Sequence, residues 1–186
     1  MRLILGITGA SGSIFGARLL ERLHGTPTVE VHLVVSQAGQ QVLHRETGQN
    51  LEDLRALAHY CHDIEDLMAP LASGSFCADG MVIAPCSVRT MSAIAAGLTS
   101  NLLLRAADVT LKERRKLILM VRETPLHLGH LRTMAALAEM GAIIAPPIPA
   151  FYHNPRSIMD LVDHSLDRVL DLLGLPPGDA RRWTGA

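Results

Sequence analysis

Four short runs of continuous apolar residues alternate along this chain with stretches whose apolar positions recur every three to four residues. The runs are RLILGIT (2–8), VEVHLVVS (29–36), GMVIAP (80–85) and KLILMV (116–121), with a weaker fifth, GAIIAPP (141–147). Each reads as a strand buried on both faces, as in parallel sheets. Between them, helical periodicity predicts helices over 14–23, 38–47, 90–95, 102–111 and 128–140. A last helix over 157–173 carries Ile158, Leu161, Val162, Leu166, Val169, Leu170 and Leu173 on one face. Strands alternating with helices at this spacing predict βαβ units, right-handed crossovers and a parallel sheet. LMAPLASGSFCAD (67–79) is aperiodic and reads as a loop. With no repeat and no linker, residues 1–186 read as one domain, whose tail from about 175 is expected to pack on a neighbouring copy.

In such sheets ligands sit beyond the carboxyl ends of the strands, where the strand order reverses. The residues following the strands are Gly9-Ala10-Ser11, Ser36, Cys86 to Thr90, Arg122-Glu123 and Phe151-Tyr152. Each group offers a hydroxyl, a small residue or a charge.

Composition narrows the function classes. Hydrophobic residues are 48% of the chain and charged ones 19%, enough to build a core. A net charge of −1 supplies no global field for nucleic acid or anionic lipid. Lys112 and Lys116 are the only lysines, and every other basic residue besides histidine is an arginine, the better fork for phosphate. Three cysteines without a CxxC pair fit a reducing, cytoplasmic compartment. The apolar run at Leu3 to Leu5 is cut by Gly6, too short for a signal peptide, and no stretch reaches the length of a membrane span.

The first loop, GITGASGSIFG (6–16), asks which phosphate it meets. A dinucleotide fingerprint needs GxGxxG and an acid at the end of the second strand. Here the GxG element is missing, the second strand ends in Ser36-Gln37, and neither Tyr60 nor Tyr152 is followed four residues on by lysine. What remains is bare backbone and the Ser11 hydroxyl at a helix N-terminus, a seat for one phosphate ester, or glycines that merely let strand and helix pack closely.

Other strand ends leave similar pairs of readings. In PCSVRT (85–90), Ser87 fits a helix N-cap as well as a ligand contact, and Cys86 fits a small buried residue better than a nucleophile. Arg122 and Glu123 follow a wholly apolar strand. They suit a phosphate or flavin carbonyl and a proton shuttle, or else a mutual ion pair or exposed loop charges. Arg105 and Lys112, seven apart, share a helix side able to face a second anion, while Glu113 to Arg115 read as solvated. His127 and His130 have metal-ligand spacing but no third ligand, so no metal is expected.

Taken together, GITGASGSIFGARLL, LVVSQA, SGSF, MVIAPCSVRTMSAIAAG, RAADVTLKERRKLILMVRETPLHLGHLRTM and PAFYHNPRS resemble the flavin prenyltransferase (UbiX/Pad-type) family, in the family's order across nearly the whole chain. The resemblance implies an α/β flavodoxin-like Rossmann fold of three layers around a parallel sheet. It also implies a homo-oligomer, typically a dodecamer, binding FMN between subunits. The implied reaction joins a dimethylallyl group from dimethylallyl monophosphate to N5 and C6 of reduced FMN, without a metal. The product, prenylated FMN, would serve a partner decarboxylase of the UbiD type. By motif match, Gly9, Ala10, Ser11 and Ser36 would hold the FMN phosphate region, and Ser87, Val88, Arg89, Thr90 and Arg122 would complete the flavin site. Arg105, Lys112, Tyr152 and Arg168 would bind the substrate phosphate, with Trp183 closing over the site from a neighbouring subunit. Glu123 would be the acid/base, supported by Ser11 and Glu46.

The residue types suit that chemistry. Phosphate leaves poorly, so clustered cations must stabilise the charge that develops, at about 1.5–3 kcal/mol per charge-assisted hydrogen bond. Two other readings share the FMN. A cysteine-type decarboxylase would want PASANT where this chain has Pro85-Cys86-Ser87-Val88-Arg89-Thr90, and a non-catalytic FMN carrier would not need the Lys112/Tyr152/Arg168 cations.

Overall fold

A computed structural model describes residues 1–176 of the chain. By its internal contacts the chain divides into two compact units, Met1–Pro146 and Pro147–Ala186.

The first unit is built on six parallel strands: β1 (Arg2–Ile7), β2 (Glu30–Val35), β3 (Tyr60–His62), β4 (Gly80–Cys86), β5 (Lys116–Val121) and β6 (Ile143–Ile144). Their order is β3-β2-β1-β4-β5-β6, so the chain moves outward from β1 to β3 and then reverses to β4. Helices α1 (Ser13–His24), α2 (Gln37–Thr47), α3 (Leu51–Arg55), α4 (Val88–Ala95), α5 (Leu102–Lys112) and α6 (Leu128–Glu139) make the connections. The result is the expected three-layer α/β fold with an all-parallel sheet.

Strand alternation assigns the layers. The Gly6 position looks onto Leu103 of α5, whereas Ile7 looks onto Gly16 of α1. On the α5 side, Ile4, Val34, Met81, Ile83, Leu117 and Leu119 join Leu103, Ala106 and Ala107 in one buried cluster. On the other, α1 buries Leu19, Leu20 and Leu23. Close approach of α1 requires Gly16, since a Cβ there would lie 2.2 Å from the Ala84 carbonyl oxygen.

Every predicted strand and helix of this unit is present within a few residues, the weak fifth run shrinking to Ile143–Ile144. Two elements were not predicted. β3 holds only three residues, and α3 only five, held by a capping box of Asn50 with Asp53. The 67–79 segment is a loop apart from one 3₁₀ turn at Pro70–Ala72. At the opposite end of the sheet from the strand tips, the buried His32 is satisfied by Glu30 (2.8 Å) and His62 (2.9 Å).

In the second unit, α7 (Ile158–Leu173) starts at a Ser157/Asp160 capping box and stops at Gly174, whose φ of 80° is left-handed. Its predicted apolar stripe is present, with Val162, Leu166, Val169, Leu170 and Leu173 buried and Ile158 exposed. Among the described residues no helix is long and apolar enough to cross a membrane.

Candidate functional site

Where the strand order reverses between β1 and β4, the tips of β1, β2 and β4 diverge around a cleft of about 930 Å³. Its lining includes Gly9, Ser36, Ser87, Arg89 and Thr90, five of the residues expected to face a ligand, together with Thr8, which was not among them. That volume suits a ligand of mononucleotide size.

Three helix N-termini, those of α2, α4 and α5, line this cleft, and none carries an acid in its first turn. Ser36 caps α2 by accepting from the Gly39 N–H at 3.0 Å. Ser87 caps α4, accepting from the Thr90 N–H and donating to its hydroxyl at 3.1 Å. Ser87 therefore fits the N-cap reading, with its hydroxyl hydrogen given to Thr90. Thr8 ties the two tips together: its hydroxyl donates to the Pro85 carbonyl (2.7 Å) and accepts from the Ser87 N–H (2.9 Å). Gly9 lets the β1 loop touch the first turn of α2, for a Cβ there would lie 2.5 Å from the Ala38 Cβ.

The N-terminus of α1 is different. Gly12, at φ 95°, starts the helix without a side chain of its own to cap it. The cap comes from Glu46 on α2, whose carboxylate accepts from the Gly12 N–H (2.9 Å), the Ser13 N–H (2.9 Å) and the Ser13 hydroxyl (2.8 Å). Burial would raise this carboxyl, but those bonds, with one from the Ser11 hydroxyl, outweigh it and hold Glu46 below the usual carboxylate range. The expectation of free α1 N–H groups ready for a phosphate ester is thus corrected: a fixed carboxylate already fills that seat. Ser11 is exposed and tied to Glu46, and Ala10 is buried beneath the loop.

At the tip of β5 the Arg122 N–H donates to the Cys86 carbonyl (3.1 Å), which places Arg122 beside the residue before Ser87. Its Nε is buried with no hydrogen-bond partner among the described residues. An orphaned buried donor is costly unless something accepts from it, so this Nε is free to donate to a ligand. Glu123 stands next to it, half-buried, accepting from the Thr124 N–H at 3.0 Å. Arg122 and Glu123 form no ion pair with each other among the described residues, so the ion-pair reading does not hold. Val88 packs on the core cluster, while Arg89 is exposed at the cleft. Burial pushes the Cys86 thiol up to about 12, which removes it as a nucleophile.

The α5 cations face a surface the sequence did not reveal. Arg105 donates to the Ala72 carbonyl (3.0 Å) and to Asp108 (2.6 Å). Arg115, expected to be solvated, donates to the Phe76 (2.6 Å) and Gly74 (2.9 Å) carbonyls. Lys112 pairs with Glu113, and both side chains lie against Gly74. Arg105 and Arg115 thus brace the 72–76 loop through its backbone carbonyls. Lys112 also stands at the far end of α5 from the cleft. Ten residues beyond Leu102, it is about 15 Å along the axis.

In the second unit, the Tyr152 hydroxyl lies 2.8 Å from His164 Nε2, and Arg168 follows His164 by one turn of α7. Two of the four residues expected to hold the substrate phosphate, Tyr152 through its bond to His164 and Arg168 one turn on, are therefore associated with one face of α7. Trp183 lies outside the described residues. His127 spends its Nδ1 on capping α6, accepting from Gly129 (3.0 Å) and His130 (3.3 Å).

Sequence reasoning from residue types missed the Glu46 cap and the Tyr152–His164 bond. Their partners are distant in sequence, and only the family match pointed to Glu46.

Residues 1–169 match the model of a family described as Flavoprotein. The flavin prenyltransferase UbiX of Escherichia coli (strain K12) is 54% identical over 187 residues, covering 100% of this chain and 99% of that protein. Among solved structures, a dodecameric FMN-dependent UbiX-like decarboxylase from Escherichia coli O157:H7 superposes with a TM-score of 0.98 at 47% identity, over 100% of both chains. AnUbiX (PadA1), solved in complex with FMN and dimethylallyl pyrophosphate, does so at 0.97 and 47% identity, over 100% of this chain and 98% of that one.

Proposed function

The chain belongs to the Flavoprotein family, and within it to the UbiX-type flavin prenyltransferases; from that premise we propose how its residues carry the reaction. The activity is transfer of a prenyl group to FMN, and the full-length identity to a curated flavin prenyltransferase carries this reading. The donor we assign is dimethylallyl monophosphate. FMN, bound reduced, supplies the N5 and C6 atoms that accept the dimethylallyl group.

The residues present fit the flavin. The orphaned Arg122 Nε would donate to it at the tip of β5, and the cleft between β1 and β4 would receive the rest. Its phosphate would sit against Gly9 and the α2 N-terminus with Ser36, and the Ser87–Thr90 turn would line the remainder of the site. We place no phosphate at α1, because the Glu46 carboxylate there would repel it. The Ser11–Glu46 pair instead stiffens the loop that carries Gly9. Glu123, half-buried beside Arg122, would take up or return the proton that ring closure moves.

Tyr152, Arg168 and Lys112 would hold the donor phosphate and stabilise its charge as it leaves, and Trp183 would close over it. Lys112 is too far along α5 to serve the cleft of its own chain, so we assign it to the cleft of a second copy. A homo-oligomer, of twelve subunits as in the bacterial UbiX-like structure, provides that copy. The cytoplasm is the compartment we assign, and the product would pass to a UbiD-type decarboxylase.

The test is anaerobic. Protein, reduced FMN and dimethylallyl monophosphate or diphosphate are incubated, and the extracted flavin is weighed by mass spectrometry. A gain of one C5H8 unit with the monophosphate, lost in Lys112→Ala, is expected. FMN that binds but stays unmodified, where a known family member turns over, overturns the assignment in favour of a carrier.

A further inference from the structure

Within the second unit three rings form one assembly. The Tyr152 hydroxyl meets His164 Nε2 at 2.8 Å. The ring of His153 lies parallel to that of His164, with centroids 4.2 Å apart and planes 3° apart. Tyr152 meets both imidazoles edge-on, at 5.3 Å and 5.8 Å. Both His153 nitrogens are buried without a hydrogen-bond partner, so within the described residues this ring contributes its face, as a platform for His164.

We propose that His164 is a positioning residue for donor binding, aiming the Tyr152 hydroxyl at the phosphate of dimethylallyl monophosphate; this rests on the functional reading above. Imidazole suits the task because the same ring atom accepts when bare and donates when protonated. With its proton on Nδ1, His164 accepts the Tyr152 O–H and holds it inward. With the proton on Nε2, it donates to the Tyr152 oxygen and turns that O–H outward, towards an anion. The exchange is between tautomers of a neutral ring and moves no net charge. Burial first, and His153 second, hold His164 below the ordinary imidazole range against the opposing pull of Asp167, which keeps the ring neutral near pH 7. Arg168 stands four residues on, on the same face of α7, so a hydroxyl and a guanidinium present donors to one phosphate monoester.

A double-mutant cycle on the FMN-loaded full chain tests this. Dimethylallyl monophosphate binding is measured by calorimetry and turnover by flavin mass, for the wild type, His164→Phe, His164→Gln, Tyr152→Phe and Tyr152→Phe/His164→Phe. Phenylalanine keeps the ring that stacks on His153 and removes the nitrogen, whereas glutamine restores a polar group within reach. His164→Phe should weaken donor binding about fivefold to tenfold, the value of one net hydrogen bond, with the loss in KM rather than kcat. His164→Gln should recover most of it, and the double variant should match Tyr152→Phe. Tyr152→Phe should also shift the His164 ring-proton resonance, a readout that requires no turnover. FMN affinity equal to the wild type certifies the fold of each variant.

Losses that multiply in the double variant, His164→Gln no better than His164→Phe, or an unmoved His164 resonance overturn the inference. A wild type that binds the donor without prenylating FMN sinks the functional reading alone, and one that does not bind it sinks both.

Discussion

Replacing Gly9 by alanine should weaken both the fold and its hold on FMN. The added Cβ would lie 2.5 Å from the Ala38 Cβ and 3.3 Å from the Ala38 carbonyl carbon. Carbon atoms in contact settle near 3.5–4.0 Å, so the loop and the first turn of α2 must separate by about 1 Å. Ala38 has no flexible end to swing aside, which forces the movement onto backbone. Overpacking of this kind destabilises by about 1–3 kcal/mol. The same separation opens the gap in which we seat the FMN phosphate. Losing one charge-assisted hydrogen bond there weakens binding by about tenfold to a hundredfold. Urea unfolding followed by circular dichroism reads the first effect, and quenching of flavin fluorescence reads the second. Gly25→Ala is the control, because its Cβ meets nothing closer than 3.6 Å and its φ is −72°. That change should be neutral or stabilise by up to about 1 kcal/mol. A Gly9→Ala protein that unfolds and binds FMN as the wild type does would refute the close-approach argument.

Two further outcomes follow from the α1 cap and the α5 cations. Glu46→Gln should cost about 0.5–1 kcal/mol at pH 7, the low part of the range for a helix cap because the carboxylate is partly solvated. The folded carboxyl titrates below its unfolded value. Its stabilisation is therefore full above about pH 4.3 and fades as pH falls through the lower folded value, so the two proteins should unfold alike at acid pH. A difference that persists there would contradict the ionic cap. Lys112→Ala and Glu123→Gln should each lose at least about a hundredfold in prenyl transfer while still binding FMN. Co-refolded in equal amounts, they should regain about a quarter of the wild-type rate if each site draws Lys112 from a second copy. A mixture as inactive as its parents would return Lys112 to the cleft of its own chain.

Local pattern carried most of the fold. Buried parallel strands must be apolar on both faces, so β1, β2, β4 and β5 announce themselves as continuous runs. Helices that cover a sheet need only one apolar stripe, and α5 and α7 show it. β3 escaped because three residues, Tyr60 to His62, are too few to show a period, and α3 because five residues depend on a cap more than on a stripe.

Reading the site divided along the same line. Residues that follow a strand are placed by chain connectivity alone, which is why Gly9, Ser36, Ser87, Arg89 and Thr90 could be put at the cleft in advance. What each charged or polar group meets is a different matter. The seven-residue spacing put Arg105 and Lys112 on one side of a helix, but the Ala72 carbonyl that Arg105 binds arrives from a loop about thirty residues earlier. Glu46 reaches Gly12 across 34 positions, and whether an α1 N–H waits for a phosphate or is already satisfied depends on that one crossing. Periodicity is a property of neighbours along the chain and survives in the bare sequence. Hydrogen-bond satisfaction belongs to neighbours in space, and it exists only once the chain has folded.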